Sequence, residues 1–165
     1  MKNIFLSIQN RLAEITNLKY IDKDWGQLQY ENPPVQWPAA LLDVEQAEYT
    51  QMGRGAQKAE AYITITVANV NLQRSSAGVA AAKRNNAYAT IDLLDEIHQK
   101  LQLFSGGGQF TPLMRTQLRK VFNNDNHEVY AMTYKTAFTV PLNETGKTTV
   151  QVSPVVTKYR ELSVE

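Results

Sequence analysis

The segment Gly53-Arg54-Gly55 is the first place in this chain where residue types and spacing could serve chemistry. Glycines beside a cation can hold a phosphate, but a phosphate-binding loop needs a further glycine, a lysine and a hydroxyl at fixed spacing before a helix. Here the strand pattern "AYITITV" follows, so no helix N-terminus directs its amides at an anion. The run "SGGG" at 105–108 follows a helix pattern and precedes a strand pattern. The sequence therefore predicts no phosphate site at either place.

The side chains that catalysis or metal binding would use are sparse. His98 and His127 are the only histidines, and neither has a neighbour in sequence that suggests an oriented partner for a general base. Asp92, Asp95 and Glu96 cluster on a predicted helix, where their oxygens could bind a divalent cation, although a solvated helix face is the simpler interpretation. The chain has no cysteine, which excludes disulfides, thiolate nucleophiles and Cys-based zinc sites. We expect neither enzymatic activity nor a cofactor or metal.

Length and composition narrow the remaining classes of protein to which this chain could belong. The 165 residues suffice for one domain with a buried core, and 43% hydrophobic and 20% charged residues are ordinary for a globular protein. A net charge of +1 lacks the basic excess typical of a nucleic-acid binder. Polar residues interrupt the N-terminal "MKNIFLSIQNRLAEI", unlike a signal peptide, and no apolar run reaches the roughly 18 residues of a membrane span. We expect a location in a cytoplasm and no membrane partner.

The sequence predicts two amphipathic helices that would pack on the rest of the fold. Apolar residues at helical spacing predict a helix over residues 2–16, with Asn3 as a cap, and a second helix that ends at the glycine run 105–108. The predicted apolar stripes are Ile4, Phe5, Ile8, Leu12 and Ile15 in the first helix, and Ala87, Ile91, Leu94, Ile97, Leu101 and Phe104 in the second.

The strand patterns predict a mostly antiparallel sheet. Short strands are expected at 20–24 and 39–44, and "AYITITVANVNL" places Ile63, Ile65 and Val67 on one face. A polar, glycine-containing stretch at 45–60 predicts a long loop between these central strands. The closing hairpin is formed by "LMRTQLRKVF" and "EVYAMTYKTAFTV". In its second strand Tyr130, Met132, Tyr134, Phe138 and Val140 share the buried face.

The predicted fold class is therefore α+β, a mostly antiparallel sheet with two helices packed on one face, a long loop between the central strands and a C-terminal arm. The predicted domain covers residues 1–142 and the arm residues 143–165. In the first strand of the closing hairpin, Arg115, Gln117 and Arg119 are expected on one polar face, which makes them candidates for a channel or an interface. Trp25 and Trp37, in the proline-rich connection, either pin that connection to the core or lie in an interface.

The order of these segments resembles the tail-terminator and tail-completion proteins of long-tailed bacteriophages and prophages. The resemblance covers about residues 1–142 and lies in the helix, the proline-rich connection, "PAALLDV", the polar loop with "GRG", "AYITITV", "IDLLDEIHQKLQ" and "AMTYKTAFTV". It implies an α+β fold without catalytic residues. It also implies a ring, usually of six copies, that caps the tail-tube protein and faces the head-tail connector, while DNA passes through the centre without sequence recognition. The implied location is the tail neck of the virion, after assembly in the bacterial cytoplasm.

With this resemblance, the loop at 45–60 is better suited to reaching a neighbouring ring or subunit than to gripping a phosphate. We expect it to be mobile in a lone subunit and ordered on contact. Candidate contacts to a neighbouring subunit or the tube are Met52, Gly53, Arg54, Gly55, Lys58, Trp25 and Trp37. Two alternatives stay open. One is another phage protein, such as a tail-tube, head-tail joining or minor tail protein, and the other is a ligand- or nucleic-acid-binding α+β domain with no phage connection.

Overall fold

The strand with the clearest alternation, Ile63-Thr64-Ile65-Thr66-Val67, lies at the centre of a five-stranded sheet. A computed structural model describes residues 1–52, 55–70, 75–121 and 127–141. The elements in chain order are α1 (Lys2–Leu12), β1 (Tyr20–Lys23), a 3-10 turn (Gln27–Gln29), β2 (Ala39–Gln51), β3 (Ala56–Val70), α2 (Ala81–Asn86), α3 (Ala89–Leu101), β4 (Met114–Val121) and β5 (His127–Pro141).

The strand order is β1-β2-β3-β5-β4. Among the strands that the structure describes, β1 and β2 alone pair in parallel, and the other three pairings are antiparallel. The longest ladder joins β3 to β5, from Ala56↔Pro141 to Val70↔His127. The predicted fold class is confirmed. The predicted arm lies outside the described residues.

The helix face of the sheet carries the core. Residues Ile63, Ile65 and Val67 of β3 are fully buried there, together with Met132 and Tyr134 of β5. Helices α1 and α3 cover them with the buried side chains Ile4, Ile8, Leu12, Leu93, Leu94, Ile97 and Leu101. The prediction that the aromatic face of the last strand packs under the helices is therefore confirmed.

Both helices end earlier than predicted. Helix α1 stops at Leu12, although Ile15 and Leu18 continue into the core through turns. The second helix is divided into α2, which has no buried residue, and α3, which ends at Leu101. The chain then reverses at Leu103, whose φ is +64°, so the glycine run at 105–108 is not the helix terminator. The predicted stripe was wrong at Ile91, which is exposed, because Thr90 and Leu93 face the core instead.

The opposite face, here called the open face, is covered at one end only. Leu41, Ala68 and Val129 are buried although they lie outside the helix-covered cluster. Trp37 stacks on His127 with ring centroids 4.7 Å apart, and by strand alternation His127 lies on this open face. The connection after β1 therefore crosses the sheet here. Elsewhere the open face is polar, as at Thr64 and Thr66.

Candidate functional site: a three-stranded ribbon and an exposed edge strand

The long loop predicted at 45–60 is wrong, because β2 and β3 continue through it as a paired hairpin. The ladder runs without a gap from Gln46↔Tyr62 to Gln51↔Gln57, and the amide of Met52 donates to the carbonyl of Ala56 at 2.9 Å. Strand β5 pairs with β3 along the same length. Three strands thus form a ribbon, and a segment so hydrogen-bonded does not match the expectation of a mobile loop in the lone subunit.

The outer strand of the ribbon, β2, is exposed along most of its length. Strand β2 is buried only over Ala39–Leu42, and almost every later residue is exposed. At its end Tyr49 and Met52 are 52% and 56% exposed. The turn closes at Gly55, whose φ of +112° is a conformation that favours glycine. Gly53 and Arg54 lie outside the described residues.

Two ion pairs meet at one carboxylate on the open face of the ribbon. Glu60 accepts from Lys58 at 2.7 Å and from Lys135 at 3.0 Å. Hydrogen bonds from Lys58 and Lys135, in that order, lower the pKa of Glu60 to about 2. Lys58, predicted as a partner contact, is therefore engaged within its own sheet, although its side chain stays exposed.

A bulge residue, Glu45, was not anticipated from the sequence. The register of β2 shifts between Val44 and Gln46, and the extra side chain lies across the open face. Its Oε2 accepts from the hydroxyl of Thr64 at 3.1 Å and from that of Thr133 at 3.5 Å. No spacing rule in the sequence marks Glu45, because a bulge depends on the partner strand as much as on its own residues.

The two tryptophans differ in role. Trp37 is partly buried in the stack on His127, which favours the anchoring interpretation. Trp25 is 47% exposed; its indole N–H donates to Asp22 at 3.3 Å and its ring meets Tyr30 edge-on. Trp37 also lies two residues before the start of β2, whereas Met52 directly follows its far end, and the strand between them spans about 40 Å at 3.3–3.4 Å per residue. The predicted contact residues therefore do not form one patch.

Strand β4 is an edge strand with exposed side chains on both faces. The prediction that Arg115, Gln117 and Arg119 share a face is wrong for Arg115. A bulge at Thr116 puts Arg115 opposite Tyr134 on the helix face, whereas Gln117 and Arg119 lie opposite Thr133 and Ala131 on the open face. The hydroxyl of Thr116 donates to the Thr133 carbonyl at 3.1 Å, which stabilises this bulge.

His98 has a structural partner. Its Nδ1 lies 3.3 Å from the hydroxyl of Tyr134, whose pKa burial raises to about 12. A phenol held neutral in this way does not orient a catalytic base as a carboxylate does. Burial, then the charge of Arg115, lowers the pKa of His98, and Asp95 opposes them.

This shift predicts a pH dependence of stability. Because the pKa of His98 is lowered in the folded state, the unfolded chain binds the proton more readily, and stability is lost as the pH falls below the ordinary value of 6.5. The chain is expected to melt at a lower temperature at about pH 5.5 than at about pH 7.5, and His98→Asn should flatten this difference. The pKa values of the carboxyls Glu14 and Glu60 are lowered from the ordinary 4.5, so these two groups do not titrate between pH 5.5 and 7.5. Equal pH dependence in both proteins would contradict the assignment.

Other site chemistry is limited in the part of the chain that the structure covers. No three His, Asp or Glu side chains converge there to hold a metal ion, and no helix is long and apolar enough to cross a membrane. A depression of about 440 Å³ lies between the ribbon and the segment after the glycine run, lined by Met52, Lys58, Phe110 and Phe138 among others. It is open to solvent, unlike the enclosed apolar cavity of a dedicated ligand-binding domain.

Comparisons with known proteins give matches among solved structures alone. No protein-family model matches the sequence, and no curated protein matches it. Among solved structures, a chain from the virion of a native gene transfer agent particle matches with 10% identity and a TM-score of 0.44, over 83% of this chain and 95% of that chain. A match this loose carries no argument about function.

Proposed function

We propose that this chain is a structural protein of a tailed-phage or prophage virion, and specifically a tail terminator. The observation that carries the proposal is the ribbon, a hydrogen-bonded part of the sheet whose β2 strand is largely exposed after Leu42 and which exposes Tyr49 and Met52 near its end. Such an ordered and exposed strand suits contact with a large partner surface. The order of elements supports the choice of family through the resemblance to tail terminators.

In this proposal the copies form a ring, of six by the resemblance, on the last ring of tail-tube protein. The ribbon contacts the tube or the adjoining copy, and the opposite side of the ring meets the head-tail connector. DNA passes through the centre without sequence recognition. The ring is part of the tail neck and is assembled in the bacterial cytoplasm.

The paired ribbon changes the energetics of that contact. Ordering a free loop costs about 1–2 kcal/mol per residue, which the partner would have to offset. The described residues of the ribbon are already ordered by their ladder, and binding them requires mainly side-chain ordering and desolvation. The exposed side chain of Met52 then serves as an apolar contact. Its unbranched thioether can adapt to a partner surface, while the paired backbone beside it stays ordered.

The proposal is tested by inactivating the gene in the phage or prophage that carries it. Negative-stain electron microscopy should show tails of uncontrolled length that do not join heads. The unmodified gene should restore particles, whereas Met52→Glu should fail to restore them because it replaces an exposed apolar contact with a charge. A matched control is Leu6→Glu, which alters an exposed apolar residue of α1 and should restore particles.

Two results would contradict the proposal. Uniform tails attached to heads in the inactivated strain would remove any terminator role. Tails of normal length that fail to join heads would identify a joining protein instead. Melting curves of purified Met52→Glu and Leu6→Glu serve to show that neither substitution acts by unfolding the chain.

A further inference from the structure

Two strand edges of the sheet are unpaired in the described part of the molecule. Strand β1 pairs with β2 only over Ala39–Leu42, which leaves the outer edge of residues 43–50 without a neighbouring strand among the residues described. At the other side of the sheet, β4 has β5 on one flank and no described strand on the other. Long exposed edges are templates for pairing with another chain unless something blocks them.

The two edges carry opposite charge. Strand β2 contains Asp43, Glu45 and Glu48 and no basic residue, and β4 contains three basic residues and no acidic one. The basic residues are Arg115, Arg119 and Lys120. None of these six side chains makes an ion pair within the described ranges, where the four ion pairs lie elsewhere. Like charge therefore opposes pairing of either edge with itself, while β2 of one copy attracts β4 of another.

Strand direction permits this contact. Strand β2 is antiparallel to β3, β3 to β5, and β5 to β4, so β2 and β4 run antiparallel to each other. Two copies related by a rotation that continues the sheet would present them as an antiparallel pair. Because one edge meets a different edge, the contact is head-to-tail, which gives a ring when the rotation between copies closes and an open filament when it does not.

One pairing register between β2 and β4 matches opposite charges on the open face and apolar side chains on the helix face. If Glu48 lies opposite Arg119, then antiparallel pairing puts Tyr49 opposite Leu118. Glu48 and Arg119 are both on the open face, and Tyr49 and Leu118 are both on the helix face, where they are 52% and 48% exposed. The flanking pairs in this register are Gln46 with Val121, Ala47 with Lys120, and Thr50 with Gln117. The bulges at Glu45 and Thr116 lie just outside this stretch, so the register meets no irregularity.

We propose that copies of this chain associate by pairing residues 46–50 of β2 in one copy with residues 117–121 of β4 in the next. The proposal rests on the ring of the proposed function and names its interface. Glu48 with Arg119 supplies a charge pair, and Tyr49 with Leu118 an apolar pair that is solvent-exposed in the single chain.

The absence of cysteine makes a cross-linking test clean. Purified Glu48→Cys and Arg119→Cys chains are mixed at the highest soluble concentration and treated with a short bismaleimide. A covalent dimer of the two variants is expected, and the double variant Glu48→Cys/Arg119→Cys should give a ladder of larger products. The matched control replaces Arg119→Cys with Lys83→Cys, an exposed cation on α2 that the proposal leaves outside the interface.

Charge exchange provides the second measurement. Arg119→Glu or Glu48→Arg alone should weaken association by roughly tenfold in sedimentation velocity, and the two together should restore it. Lys83→Glu should have no effect. Cross-linking no stronger than the Lys83→Cys control, equal cross-linking of Glu48→Cys with itself, or an exchange that fails to restore association would each overturn the interface.

The failure of this proposal is distinguishable from failure of the proposed function. If inactivation of the gene gives overlong tails but Arg119→Glu restores normal particles, the terminator role stands and the interface is wrong. If the copies cross-link as expected but inactivation leaves tails normal, the interface stands and the terminator role is wrong.

Discussion

Tyr134→Ala is expected to lower the free energy of unfolding by about 3–5 kcal/mol, the range for removing a large aromatic side chain from a core. Tyr134 is fully buried in β5, opposite Ile63 of the central strand. Its ring lies beneath the helices, so truncation leaves a cavity at the contact between the sheet and α3. Chemical denaturation followed by circular dichroism measures the loss.

Tyr134→Phe is the matched control. It keeps the ring and removes only the hydroxyl, which lies 3.3 Å from Nδ1 of His98 and donates to the sulfur of Met132 at 3.9 Å. A loss of about 0.5–1.5 kcal/mol is expected, as for a single neutral hydrogen bond. A loss below about 1 kcal/mol for Tyr134→Ala itself would contradict the placement of this ring in the core.

Gly106→Ala is expected to destabilise the chain by roughly 2–5 kcal/mol, from two causes that add. Gly106 has a φ of +57°, and left-handed backbone costs a non-glycine residue about 1–2 kcal/mol. A Cβ there would also lie 2.6 Å from the ring edge of Phe110. Phe110 is buried and packs edge-on against Phe104, so relieving the overlap disturbs the core at about 1–3 kcal/mol.

Gly107→Ala separates the two causes. Gly107 has a φ of +72°, and an added Cβ there meets no atom within 4 Å. It should therefore show only the backbone cost of about 1–2 kcal/mol. Denaturant melts of the two variants measure the difference. Equal losses would show that Phe110 moves aside freely, and the contact assigned to Gly106 would be wrong.

The sequence predicted the parts of the fold in which one face is buried. Ile63, Ile65 and Val67 alternate with threonines, and this alternation identified both the strand and its core face. The second helix was predicted less well, since Ile91 and Leu93 both fit an apolar stripe and only contact with the sheet decides that Leu93 is buried. The spacing of apolar residues along the helix does not by itself show which of the two contacts the sheet.

The ribbon was missed for a physical reason. Over "EQAEYTQ" both faces of β2 are largely exposed, so no apolar alternation distinguishes the strand from a polar loop. Its order comes from the ladder with β3, and β5 supports β3 from the other side. Likewise, the bulge at Thr116 reverses the face of Arg115, and a bulge is set by backbone and partner-strand contacts that a single strand pattern does not contain.

The β3–β5 ladder has a consequence for synthesis of the chain. Thr64 and Thr133, whose hydroxyls lie 3.1 Å apart at its middle, are separated by 69 residues in sequence. While the ribosome is still translating the residues between them, β3 lacks its principal neighbour, and Ile63, Ile65 and Val67 have only the β2 side of the sheet. Nascent chains on one messenger therefore carry an unfinished apolar strand close to one another, a state in which pairing between chains competes with folding. The time during which β3 lacks this neighbour ends only when β5 has emerged from the ribosome. Slow translation before His127 therefore lengthens that time.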